Sequence, residues 1–416
     1  MLVCPDCFAD KGLQKRIIAI RSKCPKEHCD LHPTKKGVPV AEVAAIIDPV
    51  IRENFASGYD DPDSHEPGDN LRDLLYDLTG ADHDGVVSEL ISVLIDQYDQ
   101  YDPRDGDEAF YDEENKYTSH QDVDRHSELW ERFRHHILHS QRYFSAQGLH
   151  FLKQIFEGIH FQRDHAKRPP VYMIAPEGAN ASFYRARIAK NDEELTKFRA
   201  NVAEELSPPP KRLRTAGRLN PAGIATFYGA FDPDTCIAEL RPSVGNTVAV
   251  AKFTIKKPIC VLDMTRFSAP PKPQNIFVPN RVSRVAQWLF MQKFMQEMSR
   301  PISPEDQYLD YLPTQAVAEY LLHHHRAEIK KQKRCIDAII YQSAQRPRGK
   351  NIAIFGLAGV LGEDKPKKKP VDNSDDLFDL LDFVRRMETR IVEVPNHFQA
   401  YRINGAEYDP KPYDTY

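Results

Sequence analysis

The chain has 416 residues, 41% of them hydrophobic and 28% charged, with a formal net charge of −5. This length carries two or three domains and a sizeable core, and a charge so close to neutral excludes a molecule-wide polyanion binder. No apolar run approaches the roughly 20 residues that span a bilayer, and the opening MLVCPDCFADKG is too polar and acidic for a secretory signal, so the expectation is a cytoplasmic protein with no membrane partner.

Four of the seven cysteines fall in the first thirty residues: Cys4, Cys7, Cys24 and Cys29. They form a C-x2-C pair and a C-x4-C pair. Two tight cysteine turns brought together offer four thiolates in a tetrahedron, the arrangement that holds structural zinc. Residues 1–36 are therefore expected to be a small Cys4-type zinc-binding segment, too short to fold on a core of its own. His28 and His32 lie close enough in sequence to replace one cysteine as ligand. The alternative is a cap of ordinary thiols.

Residues 37–168 read as an all-α region. Val86, Val87, Leu90, Ile91, Leu94 and Ile95 recur on one face, as do Leu129, Trp130, Phe133, Ile137 and Leu138. Gly80 closes the run NLRDLLYDLT as a C-cap. The acidic stretch DQYDQYDPRDGDEAFYDEENKY between these patterns reads as a solvated loop without a packed core. His120, His126, His135, His136, His139 and His150 keep neither one face nor one spacing, and the plain reading is surface histidines.

From 169 to 416 the texture changes. VYMIAP, SFYRARIA, GIATFYGA, TVAVAKFTI, ICVLDM, DAIIYQS and NIAIF are short and rich in β-branched and aromatic residues, which marks strands. Helical patterns cover 280–299 and 316–329. A further helix, DDLFDLLDFVRRMET, and two strand-like pieces, RIVEV and FQAYRI, close the chain. Strands and helices without regular alternation predict an α+β fold. The proline-rich, basic SPPPKRLRTAG (207–217) has the make-up of a lid or of a solvated loop, and EDKPKKKP (363–370) that of a connector.

Phosphate-cradling glycine loops, the G-x-S-x-G elbow and HExxH are all missing from the sequence. The candidate site residues lie in the strand-rich half. Arg185 and Arg187 alternate, so they share one face of a strand. Arg218 belongs to a glycine-marked turn, Tyr228 to the next strand, Glu239 follows, and Ser343 ends IIYQS. Arginine forks suit a pyrophosphate, a tyrosine offers a flat face to a ring, and a carboxylate among arginines steadies positive charge developing on a sugar carbon. The plainer reading is that Arg–Glu pairs lock strands together and the tyrosine is core.

The pieces FYRAR, GRLNPAG followed by FYGA, TCIAELRP, YLPTQ, IIYQS and KNIAIF, in that order and spacing over about 170–360, resemble the RES domain. The chain departs from the family's GRWN-type turn at Leu219, where tryptophan is common. The cysteine-bearing segment and the helices after it resemble the HEPN/RES N-terminal region. The resemblance implies a catalytic domain with an ADP-ribosyltransferase-like split β-structure that grips NAD as substrate. It implies an NAD-consuming toxin, a glycohydrolase or phosphorylase, paired with a neutralising antitoxin in toxin–antitoxin biology or phage defence. Matched motif to motif, Arg218, Glu239 and Ser343 are the family's catalytic namesakes, and Arg185 and Tyr228 are further NAD-pocket positions. Three other readings stand beside this one: an ADP-ribosyltransferase acting on a protein or nucleic acid, a HEPN-type ribonuclease using an Arg–His pair such as Arg132 and His136, and a non-enzymatic zinc adaptor. The acceptor and the oligomeric state, a homo-oligomer included, are left open.

Overall fold

The computed structural model describes residues 1–24, 27–58, 68–98, 109–120, 123–209, 211–299, 307–356 and 390–405. The expected connector at 363–370 and the helix at 375–389 lie outside these residues. Helices and strands are mixed without βαβ alternation, so the fold is α+β. The described chain divides into two compact units, Met1–Arg125 with Lys272–Ala286, and His126–Pro271 with Gln287–Tyr416. No helix among the described residues is long and apolar enough to cross a membrane.

The first unit contains β1 (Leu2–Val3), α1 (Lys11–Ile20), β2 (Val38–Pro39), α2 (Val40–Asn54), β3 (Phe55–Gly58), β4 (Asp69–Asn70), α3 (Leu71–Thr79), α4 (Asp84–Val93) and β5 (Lys116–Ser119). Helix α1 starts where the Asp10 side chain accepts from Leu13 N, and α3 where Asn70 accepts from Asp73 N. Each acid or amide satisfies an otherwise orphaned helix donor. Gly80 ends α3 at φ 58°, as its sequence position foretold, and a Cβ there would lie 2.7 Å from Ala9 Cβ. The apolar stripe of α2 (Val43, Ile47, Val50, Ile51) and that of α4 (Val86, Val87, Leu90, Ile91) enter one buried cluster that begins at Val3. The acidic stretch departs from expectation in its second half: Tyr111 and Tyr117 are buried in this cluster, and β5 pairs with β3 and β4. Their large aromatic areas outweigh the polarity of their neighbours.

The second unit contains α5 (Arg125–His139), α6 (Ala146–Phe156), β6 (Val171–Ile174), β7 (Ser182–Ala189), α7 (Asp192–Ala200), α8 (Val202–Glu205), β8 (Thr226–Ala230), α9 (Pro233–Glu239), β9 (Thr247–Ile255) and β10 (Ile259–Asp263). It continues with α10 (Arg281–Ser299), whose first turns are counted with the other unit, then α11 (Gln307–Asp310), α12 (Leu312–His323), β11 (Ala327–Ile329), β12 (Gln332–Arg334), β13 (Ala338–Gln342), β14 (Lys350–Phe355) and β15 (Ile391–Arg402). Within this unit α5 and α6 carry aromatic faces that pack with α10 and α12. Trp130 meets Phe294 edge-on at 5.0 Å, and Phe156 lies 5.9 Å from Tyr320.

All seven predicted strands of this half are present, and RIVEV and FQAYRI form one strand with an irregularity between Glu393 and Phe398. The helix expected over 316–329 stops at His323. Ala327–Ile329 instead folds back on Gln332–Arg334 through Lys330 and Lys331, both at positive φ, the requirement of a two-residue hairpin turn. Eight strands form one sheet in the order β15-β9-β7-β8-β14-β13-β10-β6, antiparallel except for β10 with β13. One face is covered continuously: Phe183, Phe227, Phe253, Ile340, Ile352 and Ile354 pack with Phe198, Val202 and Leu206 from the segment after β7. The other face carries two separate clusters, one around Ile339, Ala353 and the helices, the other around Ala186, Ala230, Val248 and Cys236.

Candidate functional site

Between β7 and β8 the register holds a single pair, Tyr184 with Ala230, whereas β7 and β9 share eight. The sheet opens beside that pair. A cavity of about 280 Å³ there is lined by Arg185 and Ala186 of β7, Tyr228, Gly229 and Ala230 of β8, Cys236, Glu239 and Leu240 at α9, Tyr341 of β13 and Asn351 of β14. Neighbours in sequence from both strands reach it, which an unbroken sheet would not allow. Gly229 permits the close approach: a Cβ there would lie 2.8 Å from the carbonyl oxygen of Tyr184.

Glu239 is delivered by α9. Asp232 caps that helix through Thr235 N at 2.8 Å, with Pro233 behind it, and Arg346 ties Asp232 (2.6 Å) and Asp234 (2.9 Å) to the loop after β13. Glu239 is exposed on the cavity wall. A carboxylate in the last turn of a helix faces the unfavourable end of the helix dipole. Two donors offset this, both to Oε1: Ser343 Oγ at 2.5 Å and Asn351 Nδ2 at 2.8 Å. Ser343 is buried, and its Oγ also accepts from the backbone N–H groups of Gln345 and Arg346, each at 3.2 Å.

Arg185 is stacked 4.9 Å from the Phe227 ring centroid. Its Nη1 is buried and has no hydrogen-bond partner among the described residues. Burial, with the like charge of Arg187 added, pulls the guanidinium down to about 10. Such a cation is costly unless something negative joins it. Arg187 is occupied differently, donating to the Ser207 carbonyl at 3.0 Å. Arg214 holds the basic loop, donating to the carbonyls of Pro209 (2.7 Å) and Gly223 (3.3 Å).

The GRLN turn is closed by Gly217 N–H to Asn220 O at 2.9 Å. Tyr228 supports it from β8: its hydroxyl donates to Asn220 Oδ1 (2.8 Å) and accepts from Leu219 N (3.1 Å). Burial pushes the Tyr228 hydroxyl well above the ordinary tyrosine range, with Arg218 and Arg185 pulling the other way. The YLPTQ segment locks the same turn, Thr314 Oγ1 donating to Arg218 O and Gln315 Nε2 to Gly217 O. Leu219 is buried among the helices. The Arg218 side chain donates to the Glu297 carbonyl at 3.0 Å and lies 5.2 Å from the Tyr311 ring centroid. It is not among the cavity-lining residues, though its charge is felt by Tyr228 and Tyr341, which are.

Of the five residues expected in this site, the structure thus gathers Arg185, Tyr228 and Glu239 on the cavity wall and sets Ser343 against Glu239. Arg218 is brought only to the neighbouring turn. Asn351 was missed. Its signal was a polar residue at an inward position of an otherwise apolar strand, KNIAIF.

The first unit holds a separate cluster. Cys4, Cys7, Cys29 and His32 present ligand atoms that all lie within 4.8 Å of one another. Cys4 and Cys7 sulfurs lie 3.9 Å apart, Cys7 and Cys29 3.6 Å, and His32 Nδ1 stands 3.4, 3.4 and 3.8 Å from Cys4, Cys7 and Cys29. Sulfurs placed about 2.3 Å from a tetrahedral zinc stand about 3.8 Å apart, so three thiols and an imidazole at these separations fit that ion. Burial pushes Cys7 up to about 12. At Cys29 burial acts in the same direction but is outweighed by the backbone N–H groups of Leu31 and His32 and the His32 ring, which bring it to about 7. Cys24, expected as the fourth ligand, is a correction: its Sγ points back to the Ile20 carbonyl, 3.6 Å away. His32 is the fourth member of the cluster. The other histidine weighed for that role, His28, is exposed.

The scattered histidines form no second cluster of this kind among the described residues. His126, expected at the surface, is buried beside Phe290. Of the Arg–His pair considered for ribonuclease chemistry, Arg132 packs over Phe151 at 5.2 Å and His136 hydrogen-bonds Ser145 Oγ at 2.6 Å.

The family model of the RES domain matches residues 183–374, which include Arg185, Arg218, Tyr228, Glu239, Ser343 and Asn351. The match supports a RES-domain protein. No curated protein and no solved structure matches the chain.

Proposed function

We propose that the chain consumes NAD by cleaving its nicotinamide–ribose bond. The observation that carries this reading is the pairing, in one cavity, of an exposed carboxylate anchored by two donors with a buried guanidinium nitrogen that has no partner among the described residues. The RES match is consistent with an NAD-acting enzyme, and the sheet opened between β7 and β8 supports an ADP-ribosyltransferase-like arrangement.

In NAD the nicotinamide is a cationic leaving group. Its C–N bond breaks with the electron pair going to the ring nitrogen, so neutral nicotinamide departs without a general acid. The sugar carbon passes through an oxocarbenium-like state. Glu239, fixed through Oε1, keeps its other oxygen for the ribose and for the developing cation. Arg185 takes the pyrophosphate, as a guanidinium does bidentately. Tyr228 offers its ring to the nicotinamide or ribose, since its hydroxyl is engaged with the GRLN turn. Arg218 reinforces the positive potential from that turn. Ser343 works through Glu239. Attack by water at the sugar carbon, with loss of its proton to solvent, gives ADP-ribose; attack by inorganic phosphate gives its 1-phosphate.

The same cavity serves ADP-ribosyl transfer to a protein or nucleic acid, and labelled NAD separates the two. Label in free ADP-ribose or its phosphate supports degradation; label in a macromolecule replaces that reading with transfer; label left in NAD refutes both. The cluster of Cys4, Cys7, Cys29 and His32 is assigned to structural zinc, because four protein donors leave no open position for chemistry. An enzyme that drains NAD needs restraint, so a cognate antitoxin belongs to this reading.

A further inference from the structure

Asn351 is buried in the middle of the sheet, on a strand paired on both sides, at Ala230 of β8 and Tyr341 of β13. The next residue on that face is Ala353, which is core. A purely structural position here would be apolar. The amide orientation is fixed by chemistry: a carboxylate accepts only, so the atom at 2.8 Å from Glu239 Oε1 is Nδ2. Oδ1 is then left buried with no hydrogen-bond partner among the described residues, on a residue that lines the cavity. Buried acceptors in native proteins find donors, and the cavity is where a donor can enter.

We propose that Asn351 is a substrate-binding residue that accepts a hydroxyl of the ribose through Oδ1 while its Nδ2 positions Glu239. This rests on the reading of NAD as substrate. The ligand chemistry follows from the acceptors: a carboxylate oxygen and an amide oxygen on adjoining side chains match two hydroxyl donors on adjoining carbons, the cis-diol of a ribose. The pyrophosphate of a dinucleotide brings no donor, and the nicotinamide carboxamide and the adenine amino group each carry their N–H donors on a single nitrogen rather than on adjoining carbons. The Ser343 hydroxyl does not compete, since it accepts two backbone N–H groups and gives its proton to Glu239. Glu239 takes the hydroxyl at C2, next to the carbon that becomes cationic, and Asn351 takes the one at C3.

The test compares kcat/KM for NAD and for an NAD analogue lacking the C3 hydroxyl of the nicotinamide ribose, in the wild type, Asn351→Ala and Asn351→Asp. Wild type should prefer NAD by roughly 3- to 10-fold, the worth of a hydrogen bond between neutral groups. Asn351→Ala should lose both that preference and part of kcat. Asn351→Asp keeps an acceptor but not the donor to Glu239, so it should lose kcat and retain the preference. A wild-type enzyme indifferent to the missing hydroxyl overturns the proposal even where a variant fails to fold, as does a preference unchanged in Asn351→Ala. In both cases NAD consumption itself stands. A wild type that neither turns over NAD nor binds ADP-ribose overturns the reading beneath it as well.

Discussion

The Ser343 hydroxyl donates to Glu239 Oε1 at 2.5 Å while accepting the backbone N–H groups of Gln345 and Arg346. A hydroxyl has one proton, and with both acceptances made that proton has a single direction left. The serine therefore aims the carboxylate and does not reach for the substrate. Ser343→Ala is expected to keep NAD affinity and lower kcat by roughly 10- to 100-fold, the worth of a hydrogen bond to a charged group. Initial rates over a range of NAD concentrations check this; a raised KM with unchanged kcat would assign Ser343 to ground-state binding instead.

Arg185 is a residue whose removal should help the fold and harm the function. Its guanidinium is buried, depressed to about 10 by that burial, and has an Nη1 without partner among the described residues. Arg185→Met keeps much of the side-chain volume over Phe227 and removes the charge. The melting temperature should hold or rise, while ADP-ribose binding measured by calorimetry should weaken roughly 10- to 100-fold. A large drop in melting temperature with binding intact would make Arg185 a structural residue.

The cysteine cluster predicts one zinc per chain, released by chelators. Cys29→Ser and His32→Ala should lose the metal, and Cys24→Ser should retain it, since Cys24 Sγ is directed to Ile20. Metal content by atomic emission decides between this set and the four-cysteine one. Because binding and folding are coupled in such sites, metal loss should also lower the thermal stability of the first unit.

His325 predicts a pH response. It is buried, and that burial, together with His160 and Arg326, pulls it from 6.5 down to about 4. Between these values the unfolded chain binds a proton that the folded one does not, so stability falls as pH drops from 6.5 towards 4. The full loss is about 3 kcal/mol. His325→Phe, which retains a ring beside Tyr320, should flatten the dependence of melting temperature on pH across this window. An unchanged slope would place the acid sensitivity elsewhere.

The strands were readable because β-branched and aromatic runs announce a pleated, half-buried surface, and all seven of the expected pieces before residue 357 are strands. The helical face of α5 was equally visible, but nothing in its pattern tells which partner its aromatic residues choose. Three of the four cluster residues, Cys4, Cys7 and Cys29, were visible, and His32 stood only as an alternative. Cys29 and His32 repeat the two-residue spacing of Cys4 and Cys7, a signal masked by the presence of Cys24. Arg185, Tyr228 and Glu239 were legible as chemistry out of place among apolar residues. Asn351 was not, because a lone amide in a strand looks alike whether it faces a neighbour or a cavity. Its position depends on pairing partners 121 residues before it in the chain, Ala230 opposite Asn351.

In the proposed reaction Glu239 is the group that meets the developing sugar cation. Nicotinamide release from NAD by wild type and by Glu239→Gln measures this most directly. The wild type should release nicotinamide and the variant should lose roughly 100-fold or more, the scale of removing one preorganised electrostatic group, with the melting temperature nearly unchanged. Equal release by the two proteins would contradict it, and so would a wild type that releases none.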